Sequence, residues 1–239
     1  MKKILSILSA VTLLAFVSCK GKDSTKETAD TKSDTTVTAS NVSATPVFQP
    51  YNITIVEHKV KDFDKWLPVY QADDSARKVN GLTELGVGRG MDNKNDVTIA
   101  FKTDDLQKAK DLIQSPALKE AMQKGGVMGT PTFHFITVVR DDNSPIEQKD
   151  RLMVTHHVKD FDTWLKAFDG EGKESRASNG LIDRGIARGV DDPNTVYILF
   201  AVSDLAKDKA RTSSPELKKI MTDAGVDGPP TLNFYTLTK

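Results

Sequence analysis

The chain has 239 residues, and its 33 lysines and arginines balance 33 aspartates and glutamates, so the formal net charge is zero. No basic stripe runs through it, which argues against a nucleic-acid partner. Cys19 is the only cysteine, so no intrachain disulfide, cysteine-based metal site or cysteine nucleophile is expected in the folded part.

The chain opens with Lys2 and Lys3, followed by an almost wholly apolar run from Ile4 to Val17. That run is too short to span a bilayer comfortably, and with its basic start it reads as the apolar region of a secretory signal. It ends in Phe16-Val17-Ser18-Cys19, which resembles a bacterial lipoprotein lipobox, with Phe16 where leucine is commoner. The resemblance implies cleavage after residue 18 and a lipid on Cys19, and hence an exported protein anchored to a membrane of the cell envelope. The alternative is an ordinary signal peptide with an incidental cysteine. The segment 19–50 is, after Cys19, mostly Lys, Asp, Ser, Thr, Ala and Val, with almost no large apolar side chain. Such a segment cannot bury enough surface to offset its ordering entropy, and it reads as a flexible tether.

Two similar units follow, expected at 51–139 and 151–239, with a charged and polar linker at 140–150. Val60-Lys61-Asp62-Phe63-Asp64-Lys65-Trp66 returns as Val158-Lys159-Asp160-Phe161-Asp162-Thr163-Trp164. After a one-residue insertion, Asn80-Gly81-Leu82 returns as Asn179-Gly180-Leu181, Ser115-Pro116 as Ser214-Pro215, and Gly126-Val127 as Gly225-Val226. A period of about 90–100 residues is too long for a solenoid unit and marks a duplicated small domain.

Within each unit, Val56-x-His58-x-Val60 and Val154-x-His156-x-Val158 alternate as strands that put each histidine on the face of its flanking valines. Asp62 and Asp160 are N-cap candidates. Phe63, Trp66, Leu67 and Tyr70, with Phe161, Trp164, Leu165 and Phe168, recur at helical spacing and read as an aromatic stripe laid on a sheet. Strands are expected at Leu82–Arg89 and Leu181–Arg188, and again at Val97–Phe101 and Val196–Phe200. Asp104 and Ser203 are cap candidates for a second helix. Ser115-Pro116 and Ser214-Pro215 place a cap and then proline at the start of its second piece, and Gly125-Gly126 and Gly225 end it. Thr132–Val138 and Thr231–Leu237 are the final strands. The order strand, helix, strand, strand, helix, strand is ferredoxin-like, an α+β unit with helices on one sheet face. Two such units in one chain can cover their bare faces by packing sheet against sheet.

The motifs His-x-Val-x-Asp-Phe-Asp-x-Trp, Arg-Gly-x-Asp-Asp-Pro-Asn, Ser-Pro-Glu-Leu-Lys and Gly-Val-x-Gly-Pro-Pro resemble the dimeric α/β-barrel superfamily. They are similar to its antibiotic-biosynthesis-monooxygenase-like and stress-responsive members. The resemblance is fuller in the second unit; the first has Asn93-Lys94 where the second has Asp192-Pro193. It implies a barrel closed around a cavity, here within one chain, as a monomer with an internal pseudo-dimer. It does not imply one activity, since the superfamily hosts oxygenases, isomerases, haem proteins and members with no known reaction.

The candidate functional residues are polar groups at matched positions. His58 and His156 are bases or ligand-binding groups if their face lines the cavity, and core histidines if it meets the helices. His134 and Asn233 correspond in the last strands, as a polar pocket wall or as strand partners on an exposed face. Arg89 and Arg188 are an anion clamp, or ion pairs of Asp92 and Asp191. Arg77 and Arg176 read as surface or capping residues. No metal-ligand spacing is visible, and no recognisable haem-ligand context, so no metal and no cofactor is expected. The preferred function is a lipid-anchored envelope protein binding a small, partly apolar ligand. The alternatives are a cofactor-independent monooxygenase-like or isomerase-like enzyme using the same cavity, and a structural protein with a filled barrel. A cavity holding histidine beside Asn or Arg would favour the enzyme.

Overall fold

The structure, a computed structural model, describes residues 48–238. The leader, Cys19 and nearly all of the tether lie outside the described residues. The first repeat comprises β1 (Tyr51–Val60), α1 (Phe63–Ala72), α2 (Asp74–Val79), β2 (Leu82–Gly90), β3 (Asp96–Thr103), α3 (Leu106–Gln114), α4 (Pro116–Lys124) and β4 (Val127–Asp141). The second comprises β5 (Asp150–Val158), α5 (Phe161–Glu171), α6 (Lys173–Ser178), β6 (Leu181–Gly189), β7 (Thr195–Val202), α7 (Leu205–Thr212), α8 (Pro215–Asp223) and β8 (Val226–Leu237).

Helix starts follow local chemistry. The Asp62 carboxylate accepts from the backbone N–H of Asp64 and Lys65, and Asp160 from that of Thr163. Ser115 and Ser214 cap α4 and α8, with proline next. The caps of α3 and α7 are Asp105 and Asp204, each one residue beyond the position expected; both adopt extended backbone and accept from two N–H groups. The first helical region is also broken, because Gly172 takes φ 82° between α5 and α6 and Asp73 leaves helical geometry between α1 and α2. β4 runs past residue 139 to Asp141, so the expected boundary falls inside a strand.

All eight strands form one closed antiparallel barrel in the order β1-β3-β2-β8-β5-β7-β6-β4. Each repeat contributes a ferredoxin-like sheet, and the seams are the β2–β8 and β4–β6 pairs. The long last strand of each repeat thus completes the sheet of the other, which leaves no unpaired edge.

The two strand faces serve different layers. The even face of β1, Val56 and Val60, packs with Phe63, Trp66, Val87, Val97, Ile99 and Phe101 beneath the helices. Val154, Val158, Phe161, Trp164, Val196, Ile198 and Phe200 do the same in the second repeat. The opposite face turns into the barrel, where Ile55, Ile136, Val138, Met153, Ala187, Tyr197 and Tyr235 meet.

Candidate functional site

His58 and His156 fall on the helix face. Each ring sits 5.4 Å from a tryptophan ring, Trp66 and Trp164 respectively, in edge-on geometry. Neither ring nitrogen of either residue finds a hydrogen-bond partner among the described residues, and burial pulls both imidazoles down to about 4. Both are therefore neutral near pH 7 and stand outside the barrel interior. His156 does line a small pocket of about 110 Å³ between sheet and helices, with Trp164, Asn179 and Arg176.

The sequence reading of Arg176 as a surface or capping residue is corrected. It is 6% exposed, forks onto both Asp183 oxygens at 2.8 and 2.6 Å, and lies 3.7 Å from the centroid of Phe168. Arg89 and Arg188 do not pair with Asp92 and Asp191. Arg89 meets Asp64 at 3.1 Å and donates to the Lys94 carbonyl; Arg188 donates to the Pro193 carbonyl. They lie over Phe63 and Phe161, at 4.5 and 4.0 Å from the ring centroids. Both lie outside the barrel cavity and fasten a helix start to a strand end.

The barrel encloses a cavity of about 730 Å³, within the size range of small-molecule sites. Its body is apolar, built by Ile53, Ile55, Ile136, Val138, Met153 and Leu199. One end opens among Tyr51, Lys102, Asp141 and Arg184; Thr98 and Tyr197 line the other. Directly behind those two the structure brings His134 and Asn233 together on a residue the sequence reading missed, Glu57. His134 Nε2 lies 3.3 Å from Glu57 Oε2, and its Nδ1 lies 3.1 Å from the Tyr197 hydroxyl. The Asn233 amide donates to Glu57 Oε1 and, at 2.9 Å, to the Thr98 hydroxyl. β1, β3 and β4 of one repeat and β7 and β8 of the other all contribute, so the cluster exists only because the barrel closes.

The electrostatics follow from these contacts. Burial would raise the Glu57 carboxyl, but the hydrogen bonds from His134 and the Asn233 amide hold it below its ordinary value. Burial raises the Tyr197 phenol, and the Glu57 charge adds to this. With Glu57 accepting the Nε2 proton, Nδ1 is the acceptor for the Tyr197 O–H. The result is a carboxylate–imidazole–phenol chain whose phenol belongs to the cavity wall.

Four residues absent from the sequence reading matter here: Glu57, Thr98, Arg151 and Tyr197. Glu57 corresponds to Thr155, Tyr197 to Thr98 and Arg151 to Ile53. The signal that could have found them is therefore mismatch between copies on the inward strand face.

No family model matches the sequence, and no curated protein matches it. Solved structures do. An anthrone oxidase-like protein superposes with a TM-score of 0.53 and 13% identity, over 79% of this chain and 92% of its own. A candidate monooxygenase from Fusobacterium nucleatum gives 0.51 and 13%, over 80% and 93%. A ferredoxin-fold protein related to antibiotic biosynthesis monooxygenases, from Listeria monocytogenes, gives 0.48 and 10%, over 80% and 97%. At such identities the likeness concerns the fold. The chain has the ferredoxin-like, dimeric α/β-barrel architecture of these structures, with both halves of the barrel supplied by a single polypeptide.

Proposed function

We propose that the protein is an oxygenase-like enzyme that removes a proton from a small, partly apolar molecule in the barrel cavity, without a bound cofactor. One observation carries this reading: the Glu57–His134–Tyr197 chain ends in the wall of a roomy apolar cavity. A substrate hydroxyl or activated C–H placed against the Tyr197 oxygen gives up its proton there, while the phenol's own proton moves to His134 Nδ1. The resulting imidazolium is held by the Glu57 carboxylate, a role that an oriented acid plays beside a catalytic histidine. Asn233 and Thr98 fix the carboxylate in place. The electron-rich anion left behind is the species that reacts with dioxygen, one oxygen atom entering the product and the other leaving as water. An isomerase would use the same abstraction and return the proton to another carbon. The oxidase-like and monooxygenase descriptions of the fold neighbours favour the oxygen-consuming version. We place this enzyme at an envelope membrane, held by a lipid on Cys19.

The test is oxygen uptake with a panel of anthrones and hydroxylated polycyclic aromatics. Tyr197→Phe and His134→Asn are expected to lower the rate by about 10²–10⁴-fold, the usual contribution of a positioned acid–base group. Full activity in both variants, or no uptake with any member of the panel, refutes the reading. A second reading rests on His156, which lines the sheet–helix pocket beside Asn179 and Arg176 and whose buried ring nitrogens have no partner among the described residues. Loss of turnover in His156→Leu with retention in Tyr197→Phe would move the chemistry there.

A further inference from the structure

The barrel cavity contains an arginine with no ion-pair partner among the described residues. Arg151 sits near the start of β5, on the inward face, 9% exposed, and lines the cavity. Its Nη1 donates to the backbone carbonyls of Gln148 and Asp150 at 2.7 and 3.0 Å. Its Nε and Nη2 have no acceptor, and no carboxylate pairs with it, among the described residues. Burying a guanidinium without an ion-pair partner is costly: burial pulls its proton affinity down and Arg184 adds to this, against Tyr235 and Asp150, which raise it.

The acids that face the same space are already engaged. Asp141 accepts from the Tyr51 hydroxyl at 2.8 Å and the Asn143 amide at 2.7 Å. Asp142 accepts from the Ser144 N–H and meets Arg184 at 3.7 Å. Asp150 turns its carboxylate to the Thr236 hydroxyl at 2.6 Å. Lys102 adds another positive charge at the cavity wall. The position matched to Arg151 in the first repeat is Ile53, so the charge is specific to one wall.

We propose that the cavity takes an organic anion, an aromatic acid whose carboxylate or sulfonate pairs with Arg151 while its apolar body extends along Ile55, Ile136 and Met153 toward Tyr197. This deepens the reactive-site reading by naming the substrate class. Thr155 is the register partner of Tyr197, so Arg151 lies four residues back along the strand, a backbone separation of about 13 Å. Two long side chains shorten that gap to the length of a two- or three-ring molecule. The free Nε and Nη2 edge of a guanidinium matches two anionic oxygens in one plane.

The experiment compares two probes with one ring system, anilinonaphthalene sulfonate and its uncharged counterpart phenylnaphthylamine, by fluorescence titration. The wild-type protein is expected to bind the sulfonate at least about tenfold tighter, the lower end of what a charge-assisted hydrogen bond contributes. Arg151→Met should erase that preference while the neutral probe binds as before, and Arg151→Lys should keep part of it. Arg151→Gln replaces the Met variant if the latter does not fold, as judged by its melting transition. Ile53→Phe and Ala100→Phe, which fill the cavity, should weaken both probes. Equal binding of the two probes by wild type, an unchanged sulfonate affinity in Arg151→Met, or wild-type binding by both cavity-filling variants overturns the proposal. Probe binding reads the anion site and oxygen uptake reads the proton relay, so the relay and the anion site fail separately.

Discussion

Asp208 offers the sharpest test of the packing described above. It lies on α7 with no solvent exposure, and neither carboxylate oxygen finds a partner among the described residues. The matched residue in the first repeat is Ala109, also fully buried. Burial raises the Asp208 carboxyl from 3.8 to about 6. The unfolded chain ionises near 3.8 and the folded chain near 6, so the unfolded state gains more from deprotonation. The cost to folding is absent below about pH 4, grows as pH rises through 4–6, and is complete above 6. A displacement of about two pKa units corresponds to about 3 kcal/mol. Loss of the charge near the start of α7 returns a few tenths of a kcal/mol. Asp208→Ala, which copies the first repeat, should therefore stabilise the protein by about 2–3 kcal/mol at pH 7.5 in urea unfolding, with the gain shrinking toward zero at pH 4. A variant no more stable than wild type at pH 7.5, or a gain independent of pH, would mean that the carboxylate has a partner.

Three further outcomes are expected. His58 and His156 have folded values depressed to about 4 from 6.5; their contribution is complete above pH 6.5 and is lost as pH falls toward 4, by up to about 3 kcal/mol each. Replacing both by leucine should flatten the acid limb of a stability–pH curve, and an unchanged limb would place the acid sensitivity elsewhere. A Cβ at Gly88 would lie 2.1 Å from the Tyr235 ring across the β2–β8 seam, so Gly88→Ala should cost about 1–3 kcal/mol, read by thermal melting; a neutral result would mean that the ring has room to move. In the full-length precursor, Cys19→Ala should abolish lipid labelling and membrane fractionation, and retention on the membrane would remove the lipid anchor.

The fold was legible because the repeat fixed the register of its own elements. Asp62 and Asp160, Ser115 and Ser214, Gly81 and Gly180, and Gly126 and Gly225 recur at matched positions, and local cap and turn chemistry needs nothing from the rest of the chain. The two-residue alternation of β1 and β5 showed that His58 and His156 share the valine face. It could not show which layer that face meets, because both layers of this barrel are apolar. The core role of Trp66 and Trp164 then settles it: the helices carry the tryptophans, and the histidines lie against them. Arg176 was misread because its partners Glu171, Asp183 and Phe168 come together only when α5 and α6 fold back onto β6. Asp105 follows Asp104 and Asp204 follows Ser203, so each true cap has a polar neighbour that could also cap, and backbone geometry alone selects between them.

The site was hidden for a different reason. Matching residues between copies reports what both sheets need, namely caps, turns and the layer under the helices. In a symmetric pair of subunits, any group near the two-fold axis is presented twice and must tolerate its own image. Glu57 facing a second glutamate, or Arg151 facing a second arginine, would set like charges together inside a low-dielectric space. One chain carrying both halves is released from that constraint. Glu57 meets the repeat in which Thr155 stands at its matched position, and His134 meets the repeat with Asn233; Arg151 has Ile53 at its own matched position. The polar chain and the Arg151 guanidinium both occupy positions where the copies differ. Covalent fusion therefore does more here than hold two barrel halves at high effective concentration: it lets one cavity carry a carboxylate–imidazole–phenol chain at one end and a buried guanidinium at the other, an arrangement that two identical subunits could supply only in duplicate.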